Sequence, residues 1–244
     1  MPQGRQEMLD VTSCESLGLT AAAAPDYASL RIRESGMAVV VAFGDSNTWG
    51  FDPASGARFA PEKRWTGVMA ATLGPDHRVV EEGLNGRTTV FDDPLEPGRR
   101  GLDYLPPCLM SHAPLDLVII ALGCNDMKAR FNVSASEIAL GAERLVALAQ
   151  ASPCGPNGAA PRVLLVAPPP LARLSGFEDA FRAAGPKSQA LASFYAEVAQ
   201  RRGAGFVDAG ALIRCSDLDG IHYEADQHEA LGRAMAQAVH IVLE

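Results

Sequence analysis

A serine in a tight polar turn, an Asp-x-x-His pair near the end of the chain, and two turns rich in glycine and asparagine between them are residue types that together could move an acyl group. Ser46 stands in Gly44-Asp45-Ser46-Asn47. A serine hydroxyl is a weak nucleophile unless a base lies within hydrogen-bond reach and a third group fixes the tautomer of that base. Asp219 and His222, three residues apart, could supply both, with His222 taking the Ser46 proton and returning it to a leaving alcohol. A tetrahedral oxyanion also needs fixed donors. The Ser46 and Gly86 amides suit that role, and the Asn125 side-chain NH2 adds a donor that does not titrate.

Each of these residues also has a plainer reading. Gly-Asp-Ser is a common turn or helix cap, Asp219 could cap a turn, and Asn125 with Asp126 could simply start the segment before the next helix. Asp45 and Asp126 fit best as structural acceptors for neighbouring backbone N–H groups. His77, His112, His228 and His240 compete with His222, but none of them follows an acidic residue by three positions at the end of a strand. Cys124 has no histidine nearby in sequence and reads as a packing residue. A nucleotide-binding module is a weak reading, because Gly44-Asp-Ser-Asn-Thr-Trp-Gly50 has neither the glycine spacing nor the lysine of a phosphate loop, and Asp45 would repel phosphate. A metal-dependent phosphoesterase using Asp45, Asp126, Asp219 and His222 stays as a remote alternative, without the two-histidine signature such sites carry.

These residues can meet only if the fold brings them to one rim. Short apolar runs alternate with longer segments of helical spacing, as in strands buried on both faces by crossover helices. The strands are expected at 37–43, 78–82, 116–122, 162–167 and 205–208, and the helices near 65–73, 105–112, 134–151, 186–202 and 224–243. Ser134-Ala-Ser-Glu137 reads as a capping box, Pro186 as a first-turn proline, and Gly203 as a helix end. The Pro/Gly-rich stretch 152–161 reads as a surface loop. Right-handed crossovers then give an α/β fold, a three-layer α/β/α sandwich around a five-stranded parallel sheet. Ligands of such sheets bind beyond the carboxyl ends of the strands, and the serine, glycine, asparagine and histidine segments all fall there.

Residues 1–36 lack the apolar runs seen later, so an N-terminal extension or arm is expected there and the folded domain over 37–244. The net charge of −8, with no run of Lys or Arg longer than a pair, argues against nucleic acid and anionic lipid. No apolar run approaches the roughly 20 residues of a membrane span. Five widely spaced cysteines without a C-x-x-C pair point to neither a disulfide framework nor a zinc ribbon. With no cationic, apolar leader visible, a cytoplasmic location is expected.

Gly44-Asp45-Ser46, Gly86, Gly123-x-Asn125-Asp126 and Asp219-x-x-His222 resemble, in order and spacing, the four signature blocks of the SGNH (GDSL) hydrolase superfamily, and together they span about three-quarters of the chain. The segments beginning at Ala60, Glu81, Arg87, Leu115 and Pro168 further resemble its bacterial arylesterase/acyltransferase branch. The resemblance implies a flavodoxin-like sandwich and a Ser46–His222–Asp219 triad. It implies an oxyanion hole of the Ser46 amide, Gly86 and Asn125, with no cofactor and no metal. It implies hydrolysis of short-chain esters through an acyl-enzyme, acyl transfer to alcohols or peroxide as well as to water, and homo-oligomers. A carbohydrate O-acetylesterase would use the same triad. Phe51, Phe177, Phe181 and Ile221 are similar to residues lining the acyl or alcohol channel in the branch, and Lys128 to one near its entrance. Phe177 and Phe181, four apart, fit one face of a helix equally well. The chain departs from the pattern at Asn47, where the family usually has leucine, and at Phe51, where the branch carries a larger indole; both positions bear on substrate range.

Overall fold

Five strands, β1 (Ala38–Gly44), β2 (His77–Gly83), β3 (Leu117–Ala121), β4 (Arg162–Ala167) and β5 (Gly205–Asp208), pair in parallel in the order β2-β1-β3-β4-β5. The computed structural model describes residues 36–244, so the arm expected over 1–36 lies outside the described residues except for Gly36. The helices are α1 (Ser46–Trp49), α2 (Trp65–Leu73), α3 (Gly101–His112), α4 (Ala135–Ala151), α5 (Ala184–Arg202) and α6 (Ala225–Leu243). None of the helices among the described residues is long and apolar enough to cross a membrane.

The strand sequences explain why both faces of the sheet are covered. Successive side chains point to opposite faces, so Val41 and Phe43 of β1 join Val118 and Ile120 of β3 in one core with Leu105 and Leu109 of α3, Ile138 and Leu145 of α4, and Leu191 and Tyr195 of α5. The alternate residues, Val40, Ala42, Leu117 and Ile119, meet Trp65 and Met69 of α2 and Leu231 and Met235 of α6. Continuous apolar strands therefore build a three-layer α/β/α sandwich. Each fully buried leucine or isoleucine contributes roughly 1.5–3 kcal/mol.

The strand order sets the position of the site. The chain leaves β1 toward β2 on one side and returns to β3 on the other, which makes the carboxyl ends of β1 and β3 the switch point of the sheet, where a crevice opens. Ser46 follows β1 and Asn125 follows β3.

Helix ends follow the expected chemistry in most places. Ser134 accepts from the Glu137 amide while the Glu137 carboxylate accepts from the Ser134 amide, and Gly203 closes α5 in the left-handed conformation. Two starts differ. The third helix begins at Gly101, not Leu105, because the Thr88 and Thr89 carbonyls accept from the Gly101 and Leu102 amides and extend the helix ahead of Pro106 and Pro107. The fifth begins at Ala184, which still leaves Pro186 in the first turn, where its missing N–H costs nothing.

Candidate active site

The turn after β1 is held by its own residues. The Asp45 carboxylate accepts the Asn47 amide at 3.0 Å and caps the single-turn helix α1, which places Ser46 at the first helical position. Gly44 has no alternative here, since a Cβ would lie 2.0 Å from Thr48 Oγ1. Beneath the turn the buried Arg87 guanidinium packs over the Phe43 ring, 4.2 Å from its centroid, and donates to the carbonyls of Gly44 (2.8 Å) and Glu82. The ends of β1 and β2 are thereby tied together directly below Ser46.

His222 reaches the same point from the loop before α6. Its Nε2 lies 2.9 Å from Ser46 Oγ and its Nδ1 2.6 Å from Asp219 Oδ2. The other Asp219 oxygen accepts the Ile221 and His222 amides at 2.8 and 2.9 Å. Burial pushes the Asp219 carboxyl upward. Hydrogen bonds from the His222 ring and the two amides outweigh that, and the pKa ends below the ordinary 3.8. An ionised Asp219 only accepts hydrogen bonds, so Nδ1 must carry the proton and Nε2 is left to accept the Ser46 hydroxyl. Phe51 covers the imidazole at a centroid distance of 4.2 Å, and Phe177 meets it edge-on at 6.3 Å.

The proposed oxyanion donors lie around Ser46. Asn125, in a short 3-10 turn after β3, donates through Nδ2 to the Arg87 carbonyl at 3.2 Å and approaches Asp45 Oδ2 at 3.5 Å. Both neighbours are acceptors, which fixes which end of the amide is NH2, and the weaker 3.5 Å contact leaves that second N–H available. Gly86 has φ +79°, a left-handed conformation that a side chain would strain, and it lines the same pocket as Ser46. Among the described residues the Ser46 and Gly86 backbone N–H groups donate to no other protein atom.

Ser46, Gly86, Asn125 and His222 share a pocket of about 190 Å³ with Phe51, Phe177, Phe181, Ile221 and Lys128, so every candidate site residue except the buried Asp219 lines one cavity. That volume is below the ~300–1,000 Å³ of pockets that take drug-sized ligands. The two readings of Phe181 both hold: it is buried in the core and borders the pocket. It does not sit on a helix with Phe177; the two lie in a turn whose Phe181 amide donates to the Phe177 carbonyl at 2.9 Å, and their rings meet edge-on. Lys128 is buried with its ammonium 3.1 Å from Glu96 Oε1 and 4.0 Å from the fully buried Asp93.

Two further lining residues, Asn85 and Glu96, were not singled out by the sequence reading. Asn85 is flagged by its place beside Gly86 at a strand end. Glu96 lies in the irregular stretch between β2 and α3, where no local pattern predicts which side chain turns inward. Asn47 also gains a role: its Nδ2 donates to the Ile221 carbonyl at 3.3 Å, tying the serine turn to the histidine loop across 174 residues of sequence.

The remaining polar candidates lie apart. His112 pairs with Glu82 at 2.7 Å, His228 accepts the Trp65 amide, and His77 meets His240 ring to ring. Cys124 is buried, and its thiol is pushed well above the ordinary range by that burial. Asp45, Asp126 and Asp219 do not converge on a common point with His222. Among the described residues the one group of three such side chains close enough to share an ion is Glu82, Cys108 and His112, which leaves the phosphoesterase alternative without its ligands.

Asp126 acts as expected of a structural acceptor, taking the Thr89 amide at 2.9 Å and the Thr89 hydroxyl at 2.5 Å. Burial raises its pKa from 3.8 to about 6 against those hydrogen bonds. A carboxyl raised on folding binds more protons in the native state, so its contribution to stability falls as pH rises from about 4 to about 6. The cost above that window is on the order of 3 kcal/mol. Urea unfolding should therefore show the difference between wild type and Asp126→Asn shifting in favour of the variant from pH 4.5 to pH 7; a difference independent of pH would refute a strained, ionised Asp126.

The family model of the GDSL-like lipase/acylhydrolase family matches residues 42–240. No curated protein sequence matches the chain significantly. Among solved structures, a carbohydrate acetylesterase from Sinorhizobium meliloti is 42% identical with a TM-score of 0.81, over 84% of this chain and 99% of that one. The native aryl esterase of M. smegmatis is 44% identical with a TM-score of 0.81, again over 84% and 99%. A carbohydrate acetylesterase family member from S. meliloti is 39% identical with a TM-score of 0.81, over 85% and 99%.

Proposed function

Because the chain belongs to the GDSL-like lipase/acylhydrolase family and is an ester-hydrolysing enzyme, we propose that it cleaves short-chain acyl esters through an acyl-enzyme on Ser46. The observation that carries this reading is the unbroken hydrogen-bond chain from Asp219 through His222 to Ser46 Oγ, at 2.6 and 2.9 Å, opening into a small pocket.

The geometry supports the following sequence. Ser46 Oγ attacks the ester carbonyl carbon as its proton passes to His222 Nε2, and Asp219 stabilises the imidazolium that forms. Negative charge builds on the carbonyl oxygen, which accepts from the Ser46 and Gly86 amides and from Asn125 Nδ2; loss of one such donor typically costs about 2.7–4 kcal/mol. Collapse expels the alkoxide, which takes the proton from His222. Water then repeats the steps on the acyl-enzyme with His222 as base, releasing the acid and restoring Ser46. An alcohol or peroxide in place of water gives acyl transfer, and Phe51 and Phe177, packed on the imidazole, favour it by limiting water at the base.

A second reading, de-esterification of acetylated carbohydrate, is favoured by one observation. Lys128 and Glu96 bring paired charges to a pocket otherwise walled by Phe51, Phe177, Phe181 and Ile221. Such a pair can hydrogen-bond the hydroxyls of a polar leaving group while the acyl chain lies against the aromatic wall. The test compares acetyl, butyryl and octanoyl aryl esters and peracetylated sugars, each with and without an added primary alcohol. Short acyl chains should win by at least about tenfold in kcat/KM over octanoyl, since a pocket this small must strain to admit a longer chain. A preference for octanoyl would contradict the short-chain assignment, and an unchanged product ratio with alcohol would remove acyl transfer.

A further inference from the structure

A cluster of ligand-type side chains unrelated to ester cleavage stands on the outer side of the sheet. Glu82 is the penultimate residue of the edge strand β2, and Cys108 and His112 lie four residues apart in the last two turns of α3, so both project from one face of that helix. One oxygen, one sulfur and one imidazole nitrogen from these three residues lie within 4.8 Å of one another. Cys108 is buried, whereas Glu82 and His112 are about one-sixth and one-quarter exposed, which leaves a path from solvent.

We propose that Glu82, Cys108 and His112 form a binding site for a borderline-soft divalent cation of the zinc type. Sulfur, imidazole and carboxylate together are the donor set that Zn²⁺ selects over the hard cations Mg²⁺ and Ca²⁺. With bonds of about 2.3 Å to sulfur and about 2.0–2.2 Å to nitrogen and oxygen, the donors of a tetrahedral site stand roughly 3.3–3.7 Å apart. Starting within 4.8 Å of one another, the three atoms therefore need to close by no more than about 1.1–1.5 Å, and the present His112–Glu82 hydrogen bond of 2.7 Å opens slightly. The fourth position faces solvent and takes water.

The surroundings suit a cation whose charge is matched locally. His112 is the last residue of α3, where the unpaired carbonyls of a helix end favour positive charge. The Cys108 thiolate and Glu82 carboxylate together balance the two charges of the metal, against the repulsion of the nearby Arg87 guanidinium. On binding, the Cys108 S–H bond breaks, its proton passes to the buffer and a sulfur–metal bond forms, with no change of oxidation state. Because Arg87 also holds the Glu82 and Gly44 carbonyls below Ser46, an ion here ties α3 to the strand end that supports the active-site turn.

The triad also offers an imidazole and a carboxylate, so the test must report on sulfur. Metal-free full-length protein is titrated with Co²⁺ and then with competing Zn²⁺, following the thiolate-to-cobalt charge-transfer absorption, with equilibrium dialysis for stoichiometry. The wild type should show the band at about one cobalt per chain, displaced by Zn²⁺. Cys108→Ser should lose it, Cys215→Ser should keep it, and His112→Gln and Glu82→Gln should each weaken Zn²⁺ binding at least tenfold. Ester hydrolysis by each variant shows that the fold is retained, and the latter two variants decide the matter if Cys108→Ser does not fold. Absence of the band in the wild type, its survival in Cys108→Ser, or unchanged Zn²⁺ binding in both His112→Gln and Glu82→Gln overturns the proposal.

Discussion

Replacing Ser46 with alanine is expected to lower kcat/KM for a short-chain aryl ester by roughly 10⁵- to 10⁶-fold, about 7–8 kcal/mol of transition-state stabilisation. The size follows from what the hydroxyl does. Without Oγ the remaining groups can only assist direct attack by water, and the His222–Asp219 pair and the oxyanion donors give the modest residual rate of a site that has lost its nucleophile. The variant should fold normally: the Asp45 cap bonds to the Asn47 amide, not to the Ser46 side chain, and the Gly44 and Arg87 contacts do not involve Oγ. An unchanged circular dichroism spectrum and an unfolding free energy within about 1 kcal/mol of wild type should accompany the loss. A variant that is folded and still turns over esters at a comparable rate would place the nucleophile elsewhere.

Asp219→Asn should act through the proton on the imidazole. Asparagine keeps an oxygen for the Ile221 and His222 amides but offers an NH2 to Nδ1, where the carboxylate accepts at 2.6 Å. Nδ1 must then accept, Nε2 carries the proton toward Ser46, and the base is lost although every heavy atom stays in place. A fall of about 10⁴-fold in kcat, with KM changed far less, is the expected signature of the wrong tautomer. Steady-state kinetics at neutral pH checks it. A loss of tenfold or less would mean that Asp219 only shapes the loop through its two backbone amides.

The sheet was legible because its strands are buried on both faces, so that β1, β3 and β4 read as continuous apolar runs with no alternation to interpret. The rule that ligands gather at the carboxyl ends of such strands brings Ser46, Gly86, Asn125 and His222 to one rim from the sequence alone. What escaped the sequence depends on contacts distant along the chain. The early start of α3 rests on carbonyls of Thr88 and Thr89, twelve or more residues away, and the prolines at 106 and 107 mimic a helix start of their own. The one-turn helix at Ser46 is too short to show a period. Glu96 enters the pocket by pairing with Lys128, and nothing local to residue 96 marks it.

Asn47 shows the limit from the other side. As a departure from the family pattern it suggested an altered substrate range, yet its amide bonds the Ile221 carbonyl one residue before the base. Only the folded chain reveals that the residue after the nucleophile helps to hold the histidine loop.

The proposed reaction passes through a covalent acyl group on Ser46. Acid quenching during turnover of an activated aryl acetate, followed by peptide mass spectrometry, should find one acetyl group per chain on the peptide containing Ser46, lost again when turnover is allowed to finish. Undiminished turnover without any acetyl on that peptide, or a kinetically competent acetyl on another residue, would contradict it.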